Sequence, residues 1–157
     1  MRLRGQTLPL SEPPRDAKGQ LVPHDHQDIL NDDGLIRRIP IHWVVPDEKS
    51  PTGRRLSSEA FEMSSAEMGG GMSLDIEKLI VETGKDVAAH VTPHPWVGAV
   101  RVTAGLLRGY ALQVGYSPQL DNPYHAEAWG TLSKKTSKKI RLASTWVVEI
   151  EGCSLEA

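Results

Sequence analysis

Val97-Gly98-Ala99-Val100-Arg101-Val102-Thr103-Ala104, then Gly105-Leu106-Leu107-Arg108-Gly109, then Tyr110-Ala111-Leu112-Gln113-Val114-Gly115-Tyr116 is the stretch on which the fold reading turns. Two β-rich runs flank a loop bounded by glycines, the pattern of a hairpin. Val100 and Val102 fall on one face of the first run and Arg101 and Thr103 on the other. A sheet covered on one side only is expected.

Outward from this pair, Ala126 to Trp129 reads as a further strand. Upstream, Ile41-His42-Trp43-Val44-Val45 is rich in β-branched and aromatic residues and stops at Pro46-Asp47, a strand with a turn behind it. Leu35, Ile36 and Ile39 supply apolar contacts near the start of the fold, with Arg37 and Arg38 pointing elsewhere. The segment 47–55 is a polar loop, and Leu56 to Phe61 a short strand or the start of a turn. Residues 64–71 form a small-residue loop ending in three glycines. A short helix is expected from Asp75, as N-cap, to about Thr83, with Gly84 as its terminator. A second is expected from Ser133 to Ala143, followed by Thr145-Trp146-Val147-Val148 as strand or helix continuation.

Residues 1–33 carry four prolines, many polar residues and scattered leucines, too little apolar surface to offset the entropy of ordering them. They read as a flexible N-terminal arm, and residues 34–157 as one domain. The fold class is therefore α+β, a single small domain whose mostly antiparallel sheet is packed by two or so short helices. A chain of 157 residues fits one domain, and an apolar content of 39% agrees with part of it lying outside the core. The net charge of -2 gives no reason to expect nucleic acid or a membrane surface. One cysteine, Cys153, excludes an internal disulfide and fits a reducing compartment. With no long apolar run and no signal pattern, a cytoplasmic location is expected.

Five groups of residues have the chemistry for a site. Asp121-Asn122-Pro123-Tyr124-His125-Ala126-Glu127 is the densest reactive cluster, with Pro123 favouring a defined turn. His125 lies between two carboxylates, Asp121 and Glu127, either of which could orient it as a general base. Arg54-Arg55-Leu56-Ser57-Ser58 pairs guanidinium donors with hydroxyls, groups that suit a small anionic ligand. Ser57 or Ser58 could also serve as a nucleophile. Against these stand the plain readings: Asp121 and Asn122 capping a turn, and serines bonding their own backbone.

His24-Asp25-His26 has ligand chemistry but sits in the proline-rich arm, so no metal site is assigned there. His90 and His94 have helical i,i+4 spacing that Pro93 and Pro95 break, which leaves them as turn histidines. Lys134, Lys135, Lys138, Lys139 and Arg141 form a basic cluster without the aromatics that stack on bases. The three glycines lack the lysine and Ser/Thr of a phosphate loop, and no cofactor motif is present.

Read in order, Leu35-Ile36-Arg37-Arg38-Ile39, Val45-Pro46-Asp47-Glu48, Arg55-Leu56-Ser57-Ser58-Glu59-Ala60-Phe61, Met72-Ser73-Leu74-Asp75 and Asp121-Asn122-Pro123-Tyr124-His125-Ala126 form a set. The set resembles a loosely defined group of small uncharacterised bacterial proteins with Ser-Ser-x-Ala-Phe, Ser-Val/Leu-Asp and Pro-x-His-Ala segments. The resemblance covers about residues 35 to 148 and implies an ordered series of polar segments, with no activity attached. Arg38, Ser57 and Glu127 are also similar in order to the arginine, serine and glutamate of some ADP-ribosyltransferases. Here His125 stands where that family has a second acid, and the serine motif lacks its threonine.

Three functions follow as expectations. The first is a small bacterial binding or accessory protein. Its ligand, an anion or a protein partner, would meet a pocket of Arg38, His42, Arg55, Ser57, Ser58, Asp121, Asn122 and His125. The second is an enzyme on a phosphate-containing or nucleotide substrate, with His125 as base and Arg55 as anion holder. The third is nucleic-acid binding through Lys134 to Arg141. Whether the chain is an enzyme stays open at this level.

Overall fold

Leu35, Ile36 and Ile39 are wholly buried in the computed structural model, which describes residues 10–63 and 70–157. They lie on β1 (Gly34–Pro40), near the centre of a six-stranded sheet. The other strands are β4 (Met72–Ile76), β5 (Trp96–Thr103), β6 (Gln113–Tyr116), β7 (His125–Trp129) and β8 (Thr145–Val148). Their order is β6-β7-β4-β1-β5-β8, and each neighbouring pair is antiparallel. A separate hairpin joins β2 (Val44–Pro46) to β3 (Arg54–Leu56). The α+β class and the mostly antiparallel sheet are as expected.

The helices number four among the described residues, where two or so were expected: α1 (Glu77–Glu82), α2 (Val87–Val91), α3 (Ala104–Gly109) and α4 (Lys134–Ala143). α4 begins where the sequence placed it, with Ser133 Oγ accepting the Thr136 N–H at 3.1 Å. Its buried side carries Ile140 and Ser137, and the Ser137 hydroxyl donates to the Phe61 carbonyl at 2.8 Å. Gly84 ends α1 at φ +75°. The Lys85 N–H reaches the Ile80 carbonyl and the Gly84 N–H the Val81 carbonyl, the paired bonds of a Schellman motif.

β5 and β6 do not form a hairpin. Three strands separate them, and the antiparallel pairings between make them run parallel. Gly105 to Gly109 is helix α3, which packs on both strands as it carries the chain across the sheet. Thr103 is its N-cap, accepting the Leu106 N–H at 3.2 Å, and Leu107 is buried beneath it. A capping threonine and two apolar residues thus outweigh the turn signal of the flanking glycines.

Asp75 is not the N-cap of α1. It belongs to β4, and the capping position falls on Ile76, which makes no side-chain cap bond. Ile41–Trp43 is a 3-10 turn rather than strand, leaving only Val44 to Pro46 extended; Ser58–Phe61 is a second such turn. The small-residue loop lies outside the described residues over 64–69.

Residues 10–33 differ from the expected arm: within them, His24 to His26 line the outer edge of β6. The His26 N–H donates to the Val114 carbonyl at 2.8 Å, Asp25 Oδ1 accepts the Val114 N–H at 2.9 Å, and His24 Nε2 accepts the Tyr116 N–H at 3.1 Å. Ile29, 1% exposed, joins the core. Polar side chains that answer the unpaired groups of an edge strand supply the ordering that apolar composition did not announce. No helix among the described residues is long and apolar enough to cross a membrane.

Candidate functional site

The central sheet is weakest between β1 and β4. Backbone pairing there covers Leu35 with Ile76 and Ile36 with Asp75, whereas β1 pairs with β5 along its whole length. Beyond that point two arginines bridge the strands with their side chains. Arg37 Nη1 donates to the Ser73 carbonyl at 2.7 Å, and Arg37 Nε to the Ala60 carbonyl at 2.8 Å. Arg38 grips Asp75 with two nitrogens, Nε to Oδ2 at 2.7 Å and Nη2 to Oδ1 at 3.2 Å. A cleft of about 770 Å³ opens beside these bridges.

Alternation along the strands sets what faces the cleft. Asp75 stands opposite Ile36 on one side and His125 on the other, so these three share a face, and Arg38 joins it two residues after Ile36. The turn before β7 delivers Asn122, whose Nδ2 donates to Asp75 Oδ1 at 2.7 Å. Asp75, 2% exposed, is thereby satisfied on both oxygens. Because only the amide nitrogen of Asn122 can approach a carboxylate, its Oδ1 is the atom near His90 Nε2 at 3.3 Å. His90 Nε2 must then carry the hydrogen.

His125 is fixed by different partners from those expected. Its Nδ1 lies 2.9 Å from the Ser117 carbonyl, while neither Asp121 nor Glu127 bonds the ring. Glu127 instead accepts the Ser117 hydroxyl at 3.1 Å. Ser117 stands between the two side chains, its carbonyl taking one and its hydroxyl the other. A carbonyl only accepts, so Nδ1 donates and Nε2 of the neutral ring is left as a lone pair.

The walls of the cleft are aromatic and cationic. The Arg37 guanidinium carbon lies 5.0 Å from the centre of the Trp43 ring and that of Arg38 5.1 Å from Trp96. Desolvation lowers the Arg37 pKa to about 10, which still leaves it a cation at neutral pH. His94, just past α2, adds a third imidazole to the lining. A smaller hollow of about 370 Å³ continues past Arg37, Trp43 and Ser73 towards Glu59 and Glu62.

Of the residues singled out from the sequence, Arg38, Asp121, Asn122 and His125 line this cleft. Arg55, Ser57, Ser58 and His42 do not. Arg55 Nε is bound to Asp47 Oδ2 at 2.7 Å. Ser57 Oγ caps a 3-10 turn by accepting the Glu59 N–H at 3.1 Å, and Ser58 Oγ accepts from Arg141 Nε at 3.2 Å. His42 is exposed and packs edge-on against Trp43. The composite Arg55–Ser58 and His125 site is therefore not a single pocket. Nor are Ser57 and Glu127 brought to Arg38 in the cleft, as the ADP-ribosyltransferase order would require.

The basic cluster also loses a member. Lys134, Lys135, Lys138 and Lys139 are exposed, but Arg141 is 1% exposed and turns inward to Ser58 and the Leu155 carbonyl. His24 and His26 spend their ring nitrogens on hydrogen bonds, mainly to the backbone.

Sequence reading missed Asp75, His90, His94, Trp43 and Trp96 as cleft residues. For His90 and His94 the signal was Asp86, which caps α2 by accepting the Ala89 N–H at 3.2 Å. The prolines that deny them a common helix set them on one rim by a turn. Comparison with family models, with curated protein sequences and with solved structures gave no match.

Proposed function

We propose that this is a binding or accessory protein whose cleft takes a small anionic ligand on Arg38. One observation carries the reading. Asp75 and Trp96 hold the Arg38 guanidinium in place, yet Nη1 has no hydrogen-bond partner among the described residues. An arginine oriented by its neighbours and left with spare donors is suited to recognise a carboxylate or phosphate without paying to immobilise itself. The cleft volume falls within the roughly 300–1,000 Å³ typical of small-molecule sites. The test is a thermal-shift screen of carboxylates, phosphates and nucleotides, since a ligand of the folded state raises its melting temperature. At least one anion is expected to stabilise the protein, and Arg38→Met to abolish the effect. A screen without any stabilising anion, or one unchanged in the variant, overturns the proposal.

A second reading makes the cleft catalytic towards a phosphate-containing substrate, with His125 as base. The lone pair at His125 Nε2 favours it, because Nδ1 is already held. Turnover of a phosphate-ester panel that disappears in His125→Asn would support it, and inertness of the wild type would end it.

A further inference from the structure

We infer that the segment ahead of β1 carries a pH-sensitive strap: neutral imidazoles at His24 and His26 hold it on the edge of β6, and acid releases it. The inference is independent of the cleft. Both rings have their hydrogen placed by their partners. His24 Nδ1 lies 2.8 Å from the Val22 carbonyl, which can only accept, so Nδ1 carries the hydrogen. Nε2 is then a lone pair, and it takes the Tyr116 N–H at 3.1 Å. His26 uses the opposite tautomer. Its Nε2 donates to the Ser11 carbonyl at 2.7 Å, and its Nδ1 accepts the Asp28 N–H at 3.1 Å.

Each ring thus spends one nitrogen as donor and the other as acceptor. Protonating either one sets an N–H against a backbone N–H, and at 9% and 4% exposure little water reaches the orphaned amide. The His24 bond ties the strap to the sheet, because Tyr116 belongs to the edge strand itself. The His26 bonds close the turn at Asp28 and hold Ser11. An imidazole freed into water takes up a proton below about 6.5. The lifted strap therefore binds more protons than the seated one, and acid favours lifting.

The surrounding charges decide which ring matters more. Asp28 feels a charge on His26 and favours it. Arg108, donating to the His26 carbonyl at 3.1 Å, and Lys78, donating to the Asp28 carbonyl at 2.6 Å, oppose it. Around His24, Asp25 is spent on Arg108 Nε and the Val114 N–H, and Glu127, opposite Gly115 on β7, accepts the Ser117 hydroxyl. The Trp129 ring and Gly115 bring no charge, and burial together with Glu12 keeps the Tyr116 phenol neutral. His24 is the stronger latch. Ile29 stays anchored in the core, so lifting is confined to the residues before it and bares the backbone of Val114 and Tyr116, an open sheet edge.

The experiment is hydrogen exchange of single amides, read by NMR on the full chain at about pH 7.5 and 5.5, one unit either side of the imidazole midpoint. Each rate is divided by that of the unstructured amide at the same pH. Opening at Tyr116 is expected to rise about tenfold in acid, the effect of one proton taken up across that interval. Ile76, whose N–H is held by the Tyr124 carbonyl at 2.8 Å within the sheet, is the control and is expected to change less. In His24→Gln the amide oxygen keeps an acceptor for Tyr116 and does not titrate, so the rise is expected to vanish. Nitrogen spectra of the wild-type imidazoles give a readout that does not depend on the variant. His24 is expected to stay neutral, with its hydrogen on Nδ1, for as long as Tyr116 is protected. Equal protection of Tyr116 at both pH values, a rise shared in full by Ile76, or one that persists in His24→Gln overturns the inference. So does a charged His24 ring beside a protected Tyr116 amide.

Discussion

Arg38 lies two residues beyond the last backbone pair between β1 and β4, and it reaches back to Asp75, the β4 member of that pair. Asp75 is nearly sealed from solvent, while the Arg38 side chain keeps 18% of its surface. Replacing one partner strands the other charge. Asp75→Ala is expected to destabilise the fold by about 3 kcal/mol, the low end for a buried pair because the guanidinium retains some water. Arg38→Ala, which strands the nearly sealed carboxylate, is expected to cost more than Asp75→Ala, and the double variant less than the sum. Urea unfolding of the four proteins measures this coupling.

The stretch before β1 behaves as part of the domain. Ile29→Ala is expected to cost about 3 kcal/mol, as for other aliphatic truncations in a core. Gly115→Ala acts on the other side of the same contact. A methyl there would run into the Trp129 ring and come within 2.8 Å of His24 Nε2. Amide exchange at Tyr116, whose N–H is held by His24, is expected to accelerate in Gly115→Ala before the rest of the sheet responds.

Acid acts through Asp47. The Arg55 hydrogen bond and then the Lys49 N–H hold its carboxyl below the ordinary value of 3.8. The folded state thus prefers the ionised form more strongly than the unfolded chain does. That contribution is complete above about 3.8 and is lost as pH falls through the lower folded value. Melting curves through the acid range should show a shallower decline for Asp47→Asn than for the wild type.

Cys153 is 3% exposed, and burial pushes its thiol up despite the nearby Arg54. Both effects suppress the thiolate that reacts. Labelling with a disulfide reagent is expected to be slow in the native protein and to become fast on unfolding. Prompt stoichiometric labelling under native conditions contradicts the placement.

Local signals were legible in the sequence and distant pairings were not. Ser133 and Gly84 bound their helices as read, because a cap acts within a few residues. The Asp121–His125 turn and Arg38 could each be picked out as reactive, and they line one cleft. What sequence could not rank was partner choice. Asp75 has the same letter whether it caps a helix or anchors an arginine, and only the strand order decides. Arg55 and Ser58 looked available until Asp47 and Arg141 took them, and those partners are respectively 8 and 83 residues away. The β5–β6 hairpin failed for the same reason: alternation identifies a strand but leaves its neighbour unnamed.

The interrupted pairing between β1 and β4 divides the sheet into two ribbons, β6-β7-β4 and β1-β5-β8, joined like tongs at one end. Elsewhere along that seam the spacing is set by two arginine side chains, which have rotamers to choose from where a backbone ladder has none. Arg38 thus ties the two ribbons together and, with Nη1 unspent, stands in the lining of the cleft.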